Sequence, residues 1–533
     1  MLANIIKPSF NFYKKYTMKL LKESIEWAII HLNKENDTDI FPKPIEIDLI
    51  KEKKDFCVEE LLKIEIGNYK WHLPRRFLIP KDDLSYRVIT QLNPMDSVFL
   101  SAIIKEYGDK IESKRSPESD KVVFGNRFSP SIDGFLFKSD GQWRKFWETA
   151  KAKASGYKYI VRFDIADFYN QIYLHSIESQ LIECGFPNEV MKSIKKLICT
   201  STVKVSRGIP VGPHSTHLIA EAALIPIDNS LKLHGISYCR YMDDFVAYCN
   251  SEVECRIILN RVADILDKQE RLILQRHKTK IFTYDSFIIE CKNQLDYEPL
   301  SDVEEKIIDI IKEHLEGGSY LKKIKWDDLK DEDKEVFSKI YYDKIIDGYL
   351  SEKPSPNYSK LRWFYRRLCQ LGVPFAIDYT ISHISQLTPI INDICEYFVT
   401  AAPNYSGDLK DKGEDLHKLL DSELIRSSEF FQIAIINIFS RTTELNHFEN
   451  FARNFHTYPD SVKRKIFFIA KAIGATDWIR ESKEKYDGFS EWTKRAFLIS
   501  CSCLPADERK FFFETAREYL DDKDVLENLI MKK

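Results

Sequence analysis

Tyr241-Met242-Asp243-Asp244 is the stretch on which the reading of this chain turns. The two adjacent carboxylates follow an alternating run, Ile236-Ser237-Tyr238-Cys239-Arg240, and precede another, Phe245-Val246-Ala247-Tyr248-Cys249. Alternation on both sides of a short polar step predicts a β-hairpin with both acids at its tip. Adjacent carboxylates repel one another, and a divalent cation between them removes the repulsion. A solvated acidic turn is the plainer reading of any Asp-Asp pair. Further ligands and phosphate-binding segments upstream, in a workable order, decide between the two.

They are present. Tyr159-Ile160-Val161-Arg162-Phe163-Asp164 is a short apolar strand ending on an acid, and Ile165 to Ile172 follows with helical spacing soon after. A carboxylate at a strand end can face the hairpin acids and supply a third ligand, since Mg²⁺ takes one or two carboxylates and completes its octahedron with phosphates and water. Nucleotidyl transfer uses such a site, two metals clamping the attacking and leaving oxygens of an in-line displacement. Arg207-Gly208-Ile209-Pro210-Val211-Gly212-Pro213 is a Gly/Pro loop predicted to open a helix from about Ser215 to Leu224. Its glycines let backbone N–H groups approach a nucleotide or template. Beyond the hairpin, Leu272-Ile273-Leu274 leads to the basic run Gln275-Arg276-His277-Lys278-Thr279-Lys280, suited to neutralising or protonating a leaving pyrophosphate.

In this order the residues resemble the reverse transcriptase palm. The resemblance covers about residues 35 to 290 and implies an α+β fold of fingers and palm, the right-hand polymerase arrangement. Asp164 matches the first catalytic acid, Gly208 to Pro213 the loop that follows it, Asp243 and Asp244 the Y-x-D-D box, and Lys278-Thr279 the later lysine motif. Ile79-Pro80-Lys81-Asp82-Asp83-Leu84-Ser85-Tyr86-Arg87 looks like the fingers segment, in which Lys81 and Arg87 would hold the triphosphate. Tyr169 falls where the family places an aromatic gate against the ribose 2′-hydroxyl, and Gly212 where backbone meets nucleotide. The implied cofactor is a pair of Mg²⁺ ions, with Mn²⁺ as a substitute, held by Asp164, Asp243 and Asp244.

Within that family, Val211 stands where most retroviral, retron and intron enzymes carry Gln, and it cannot hydrogen-bond a sugar or base. Asp37 to Glu46, Val123-Phe124-Gly125-Asn126-Arg127-Phe128, and Ile219-Ala220-Glu221-Ala222-Ala223-Leu224 trailing to Ile227-Asp228 are similar to segments of the bacterial abortive-infection reverse transcriptases. That resemblance implies antiphage defence, dNTP substrates, and a single-stranded DNA product. Synthesis would be either protein-primed and template-independent, with the product covalently attached, or dependent on a dedicated non-coding RNA. A homo-oligomer in the bacterial cytoplasm is also implied. Two other classes stay open: a conventional RNA-templated enzyme of a retron-like element, and a catalytically silent nucleic-acid-binding sensor. Tyr13, Tyr16 and Tyr405 are candidate priming hydroxyls.

Composition agrees without having suggested any of this. Lys plus Arg number 79 against 82 for Asp plus Glu, so binding to nucleic acid must rely on local patches such as Arg75-Arg76, Lys114-Arg115 and Arg276 to Lys280. The 11 cysteines are scattered and read as free thiols, and Cys501-Ser502-Cys503 as core packing. Met1 to Leu21 holds Lys7, Lys14, Lys15 and Lys19 without a continuous apolar core, unlike a secretory signal, and no 18-residue apolar run predicts a membrane span. Residues 17 to 33 are expected to form an amphipathic helix with Leu20, Leu21, Ile25, Ala28 and Ile29 on one side.

Strand alternation fades by residue 290, which divides the chain into fingers and palm with an N-terminal helical extension (1–290) and an all-α region replacing the thumb (291–533). Gly317-Gly318-Ser319, Pro354-Ser355-Pro356 and Pro403 to Asp408 punctuate the second part. Val462 to Phe468 and Trp492 to Leu498 share a character, with Lys463 and Lys494 31 positions apart (494 − 463), as in helix-pair solenoids. Arg441 and His447 are spaced as in some helical ribonucleases, though a polar helix face explains them more simply. Trp478, Trp492 and Phe511-Phe512-Phe513 read as core.

Overall fold

The computed structural model describes residues 18–38, 40–295, 302–313, 324–353, 355–518 and 524–532. Tyr13, Tyr16, Asp39, the lysines at 7, 14 and 15, Gly317-Gly318-Ser319 and Pro354 lie outside the described residues. Strands in them are β1 Arg75–Pro80, β2 Tyr86–Gln91, β3 Tyr159–Asp164, β4 Tyr238–Tyr241, β5 Asp244–Cys249 and β6 Lys280–Thr283. Chain contacts define two compact units, one drawing on the described parts of Met1–Pro74 and Gln91–Leu295, the other on Arg75–Thr90 and those of Asp296–Lys533.

The first unit is organised by an antiparallel sheet in the order β4-β5-β3-β6. Alternation settles its two faces. Phe163 and Phe245 are cross-strand partners whose rings stack at 4.9 Å. Ile160, Val246 and Tyr248 point to the other face, into a core with Phe146, Trp147 and Phe287 of the helices Gln142–Ala154 and Tyr284–Leu295. The Pro94–Glu112 helix starts with Pro94 in its first turn and with the Asn93 side chain accepting from Met95 N at 3.0 Å. Ser251 caps Glu252–Glu270 in the same way, accepting from Glu254 N at 3.2 Å.

Three local expectations are corrected. The N-terminal helix runs Lys22–Glu35, so Leu20 and Leu21 precede it: Leu20 is buried, Leu21 is the extended N-cap residue at 58% exposed, and Ile25, Ala28 and Ile29 take the inward face together with Trp27 and Leu32. The helix after the Gly/Pro loop runs His214–Leu233, passing through Pro226 where a stop near Leu224 is predicted. Leu218, Ala222, Leu224 and Ile227 are all buried, so tertiary packing offsets the lost backbone bond. Arg115 is no surface patch: it is 4% exposed and paired with Glu112 and Glu221. All 11 cysteines are free thiols.

The second unit joins the β1–β2 hairpin to helices. Glu429–Arg441, Asp460–Ile473 and Glu491–Ser500 begin at equal intervals (460 − 429 and 491 − 460, both 31). Successive members are tied by hydrogen bonds from Lys465 Nζ to Asn437 Oδ1 (2.7 Å), Arg464 Nη1 to the Trp492 carbonyl (2.9 Å), and Ser500 Oγ to the Phe467 carbonyl (2.8 Å). Apolar surface is thus buried by stacking one helix on the next. Phe467, fully buried, meets Phe455, Trp478, Phe489 and Phe497 at 5.2–5.4 Å. Phe467→Ala is expected to destabilise this unit by about 3–5 kcal/mol, read as a lower urea midpoint. Trp492 is buried and carries Arg75 of β1 over its ring at 3.8 Å. Phe511 departs from its expected core role, at 72% exposed, while Phe513 is buried. Arg441 pairs with Glu396 and His447 Nε2 lies 3.0 Å from the Lys410 carbonyl, the polar-face reading of both.

Candidate active site

β3 runs inward through apolar residues and ends on Asp164; β5 starts on Asp244; the register places the two directly opposite. Asp243 stands beside them in the two-residue Met242-Asp243 turn that joins β4 to β5, closed by the Tyr241–Asp244 pair. Three carboxylates therefore share one end of the sheet, as the hairpin reading predicts.

The environment of Asp243 and Asp164 opposes full ionisation. Asp243 is pushed up to about 7, first by burial and then by the charges of Asp164 and Asp244. Asp164, 4% exposed, is also raised by burial and by Asp244, while its ion pair with Lys278 pulls the other way. Lys278 Nζ lies 2.8 Å from Asp164 Oδ2. It gets there because the segment after Leu272 is pinned to the end of β3, through Ala166 N to the Ile273 carbonyl (2.9 Å) and Gln275 N to the Asp164 carbonyl (2.7 Å). Arg162 donates to Asp244 Oδ1 at 3.4 Å and to Glu290 Oε1 at 2.9 Å, and it lies over the Trp147 ring.

Asp164 Oδ1 is buried with no hydrogen-bond partner. An orphaned carboxylate oxygen beside two more carboxylates is a donor set that fits a hard divalent cation with open positions for phosphate and water. Lys278 and Arg162 supply only part of the compensating charge.

Tyr169 is half-buried, its hydroxyl 2.5 Å from His217 Nδ1, and its ionisation is suppressed by burial and by Asp243. The Gly/Pro loop is clipped to the Tyr169 segment by Gly208 N to the Ile172 carbonyl (2.8 Å) and Ile209 N to the Tyr169 carbonyl (2.9 Å). Gly208 has φ 91°, and a Cβ there would sit 3.3 Å from the Asn170 carbonyl oxygen, so the close approach needs glycine. Gly212, buried, has φ 126°. Asp164, Tyr169, Gly212, Asp243, Asp244 and Lys278 all belong to the first unit.

Lys81 and Arg87 belong to the second unit, on the β1–β2 hairpin, and both are exposed. Asp82 Oδ1 accepts from Leu84 N and Ser85 N at 2.9 and 2.8 Å, shaping the hairpin turn. The Tyr358 hydroxyl donates to Asp83, and Arg362 donates to the Pro389 carbonyl at 2.9 Å and lies 3.5 Å from the Lys81 carbonyl.

Arg162 and His217 escape the sequence reading. Arg162 could have been found, since period 2 puts it on the same strand face as Asp164. Nothing in the sequence pairs His217 with Tyr169.

Paired strands ending in a carboxylate trio, with a lysine at hand, define a palm of the nucleotidyl-transfer class. Residues 79–321 match the family model described as reverse transcriptase (RNA-dependent DNA polymerase). These residues therefore carry a reverse transcriptase domain, which supports an enzyme of the RNA-directed DNA polymerase type; polymerases with this domain generally use divalent metals. No curated protein matches the chain. Among solved structures it is similar to apo telomerase from Candida tropicalis, with 10% identity, 75% of this chain and 68% of that chain covered, and a TM-score of 0.33. It is also similar to telomerase from Candida albicans in complex with a fragment of telomeric RNA, with 11% identity, coverage of 85% and 71%, and a TM-score of 0.31. At these scores the two likenesses bear on neither mechanism nor partners. Among the described residues no helix is long and apolar enough to cross a membrane.

Proposed function

We propose that this chain is an antiphage-defence reverse transcriptase of the abortive-infection type, extending DNA from dNTPs by two-metal nucleotidyl transfer. The observation that carries the polymerase chemistry is the facing pair Asp164 and Asp244 with Asp243 beside them and Asp164 Oδ1 unpartnered. The defence assignment is supported by the segments 37–46, 123–128 and 219–228 and by Val211 in the Gly/Pro loop. Functionally we divide the chain into 1–290, which holds the three acids, and 291–533.

Asp164 and Asp243 would hold both Mg²⁺ ions, with Asp244 supporting the second. When bound, the ions neutralise the developing phosphate charge and favour the attacking hydroxyl in its ionised form. Lys278, its ammonium held beside Asp164, is positioned to protonate or neutralise the leaving pyrophosphate. Lys81 and Arg87 would bind the triphosphate through exposed cationic side chains. Gly212 would offer backbone to the nucleotide.

Tyr169 would exclude ribonucleotides by bulk, its ring held in place through the His217 bond. Tyr169→Ala is expected to relax the preference for dNTP over rNTP by roughly 10–100-fold, measured as the ratio of kcat/KM values. Unchanged discrimination would remove the gate role.

Loss of a hydrogen-bonding side chain at Val211 favours synthesis without a conventional template, and a protein hydroxyl is then the natural primer. Of the candidate primers, Tyr405 lies within the described residues, its hydroxyl donating to Asp378 Oδ1 at 2.7 Å. The deciding experiment is incorporation of each labelled dNTP by purified chain with Mg²⁺, before and after RNase, with products run on denaturing gels before and after proteolysis. RNase-resistant label that moves with the protein until proteolysis supports protein-primed, template-independent synthesis. RNase-sensitive label means that an RNA is copied. A phage-plating assay with wild-type and Asp243→Ala chains tests defence, and equal plaque counts would overturn it.

A further inference from the structure

Met242, the residue just before Asp243, has φ 54°, a left-handed conformation that an unbranched side chain adopts only when its surroundings hold it there. Those surroundings are on the buried side of the hairpin. Arg240, fully buried, donates from Nη1 to the Met242 carbonyl at 3.1 Å and to Glu221 Oε2 at 2.9 Å. Its Nε and Nη2 engage both oxygens of Asp228, at 2.8 and 2.6 Å. Arg115 donates to the same Glu221 oxygen at 2.9 Å and to the Gly125 carbonyl at 2.5 Å. Gly125 in turn lies against the turn: a Cβ there would come within 2.7 Å of Met242 N and 2.8 Å of Met242 Cγ.

We propose that Arg240, Glu221 and Gly125 are positioning residues for catalysis, a buried brace that sets the Met242 carbonyl and so aims Asp243 at the metal site. The proposal rests on the nucleotidyl-transfer reading above. It gives a role to the segments 123–128 and 219–228, singled out by resemblance but touching no catalytic residue in sequence. Stability is a poor reason for such a network. Buried ion pairs are often no better for folding than apolar residues of the same volume, whereas they do fix geometry. Here each nitrogen of the Arg240 fork has a partner: Nε and Nη2 donate to Asp228, and Nη1 to both Glu221 and the turn itself. A guanidinium so held cannot swing, and neither can the carbonyl that it grips. Gly125 completes the brace by omission, since any side chain would press on the turn.

The brace is tested without truncating Arg240, because Arg240→Ala would leave the buried Asp228 without its guanidinium partner and unfold the palm. Gly125→Ala and Glu221→Gln are compared with wild type and Asp243→Ala in the full chain. Single-dNTP incorporation is followed against Mg²⁺ concentration, Mn²⁺ binding by electron paramagnetic resonance in the presence of dNTP, and melting temperature alongside. Gly125→Ala is expected to raise the Mg²⁺ midpoint and lower kcat, together on the order of 10²-fold, with KM for dNTP nearly unchanged and a lowered melting temperature as the turn shifts to admit the methyl group. Glu221→Gln, which keeps an acceptor oxygen, is expected to shift the Mg²⁺ midpoint in the same direction by less. Should Gly125→Ala fail to fold, Glu221→Gln carries the test by the same criterion. A folded variant with the wild-type Mg²⁺ midpoint, kcat and Mn²⁺ affinity overturns the brace while the inactivity of Asp243→Ala leaves the function standing. Equal incorporation by wild type and Asp243→Ala, or none by either with no Mn²⁺ bound, overturns the function and the brace with it.

Discussion

Asp243→Asn is expected to lower dNTP incorporation by at least about 10³-fold while the chain stays folded. The substitution keeps size and hydrogen-bonding capacity and removes one negative charge from the turn between β4 and β5. An amide is a poor ligand for a hard cation beside two carboxylates, and the orphaned Oδ1 of Asp164 has no other partner to recruit. The loss should appear in kcat at saturating Mg²⁺, because the interaction is needed most when charge develops on the transferred phosphate. Asp164→Asn should act similarly and would also release Lys278, whose Nζ lies 2.8 Å from Asp164. Activity within tenfold of wild type in Asp243→Asn, measured by single-turnover incorporation, would rule out this residue as a ligand.

The same substitution should have the opposite effect on stability when metal is chelated. Asp243 titrates at about 7 in the folded chain against 3.8 for the unperturbed group, raised first by burial and then by Asp164 and Asp244. The folded state therefore holds its proton more tightly than the unfolded state does. Below about pH 4 both states are protonated and Asp243 costs nothing; the cost grows as pH rises and is fully present above about 7. With its partial exposure and solvent screening taken into account, the cost at pH 8 is roughly 1–3 kcal/mol. Urea midpoints in EDTA should fall from pH 5.5 to pH 8 more steeply for wild type than for Asp243→Asn. Millimolar Mg²⁺ should narrow the gap by binding the folded state alone. Parallel pH dependences in EDTA would mean that Asp243 is already relieved by a neighbour.

Much of the palm was legible in the residues. β3 was read at its observed bounds, Tyr159–Asp164, because a run of β-branched and aromatic residues ending on an acid has few other readings. The hairpin was legible for the same reason, although its turn uses Met242 in a conformation usually left to Gly or Asn. The helix after the Gly/Pro loop was underestimated because Pro226 weighs against continuation locally, and only burial of both flanks shows why it goes on. Arg115 looked like a surface cation because charge is visible in sequence and burial is not. The regular spacing of the helices starting at Glu429, Asp460 and Glu491 was only faint, because stacked helices repeat their contacts more faithfully than their residues.

The sequence by itself determined which chemistry was available: three carboxylates in a fixed order, a glycine loop between them and a lysine after. These are local matters of residue type and strand period, and they survive without coordinates. Tertiary structure alone decided that Asp164 faces Asp244, that Lys278 reaches Asp164, that His217 holds Tyr169, and that Arg240 grips the turn before Asp243. Each of these depends on strand register or on the meeting of segments tens of residues apart. Such meetings are settled by packing of the whole core, which no local pattern encodes.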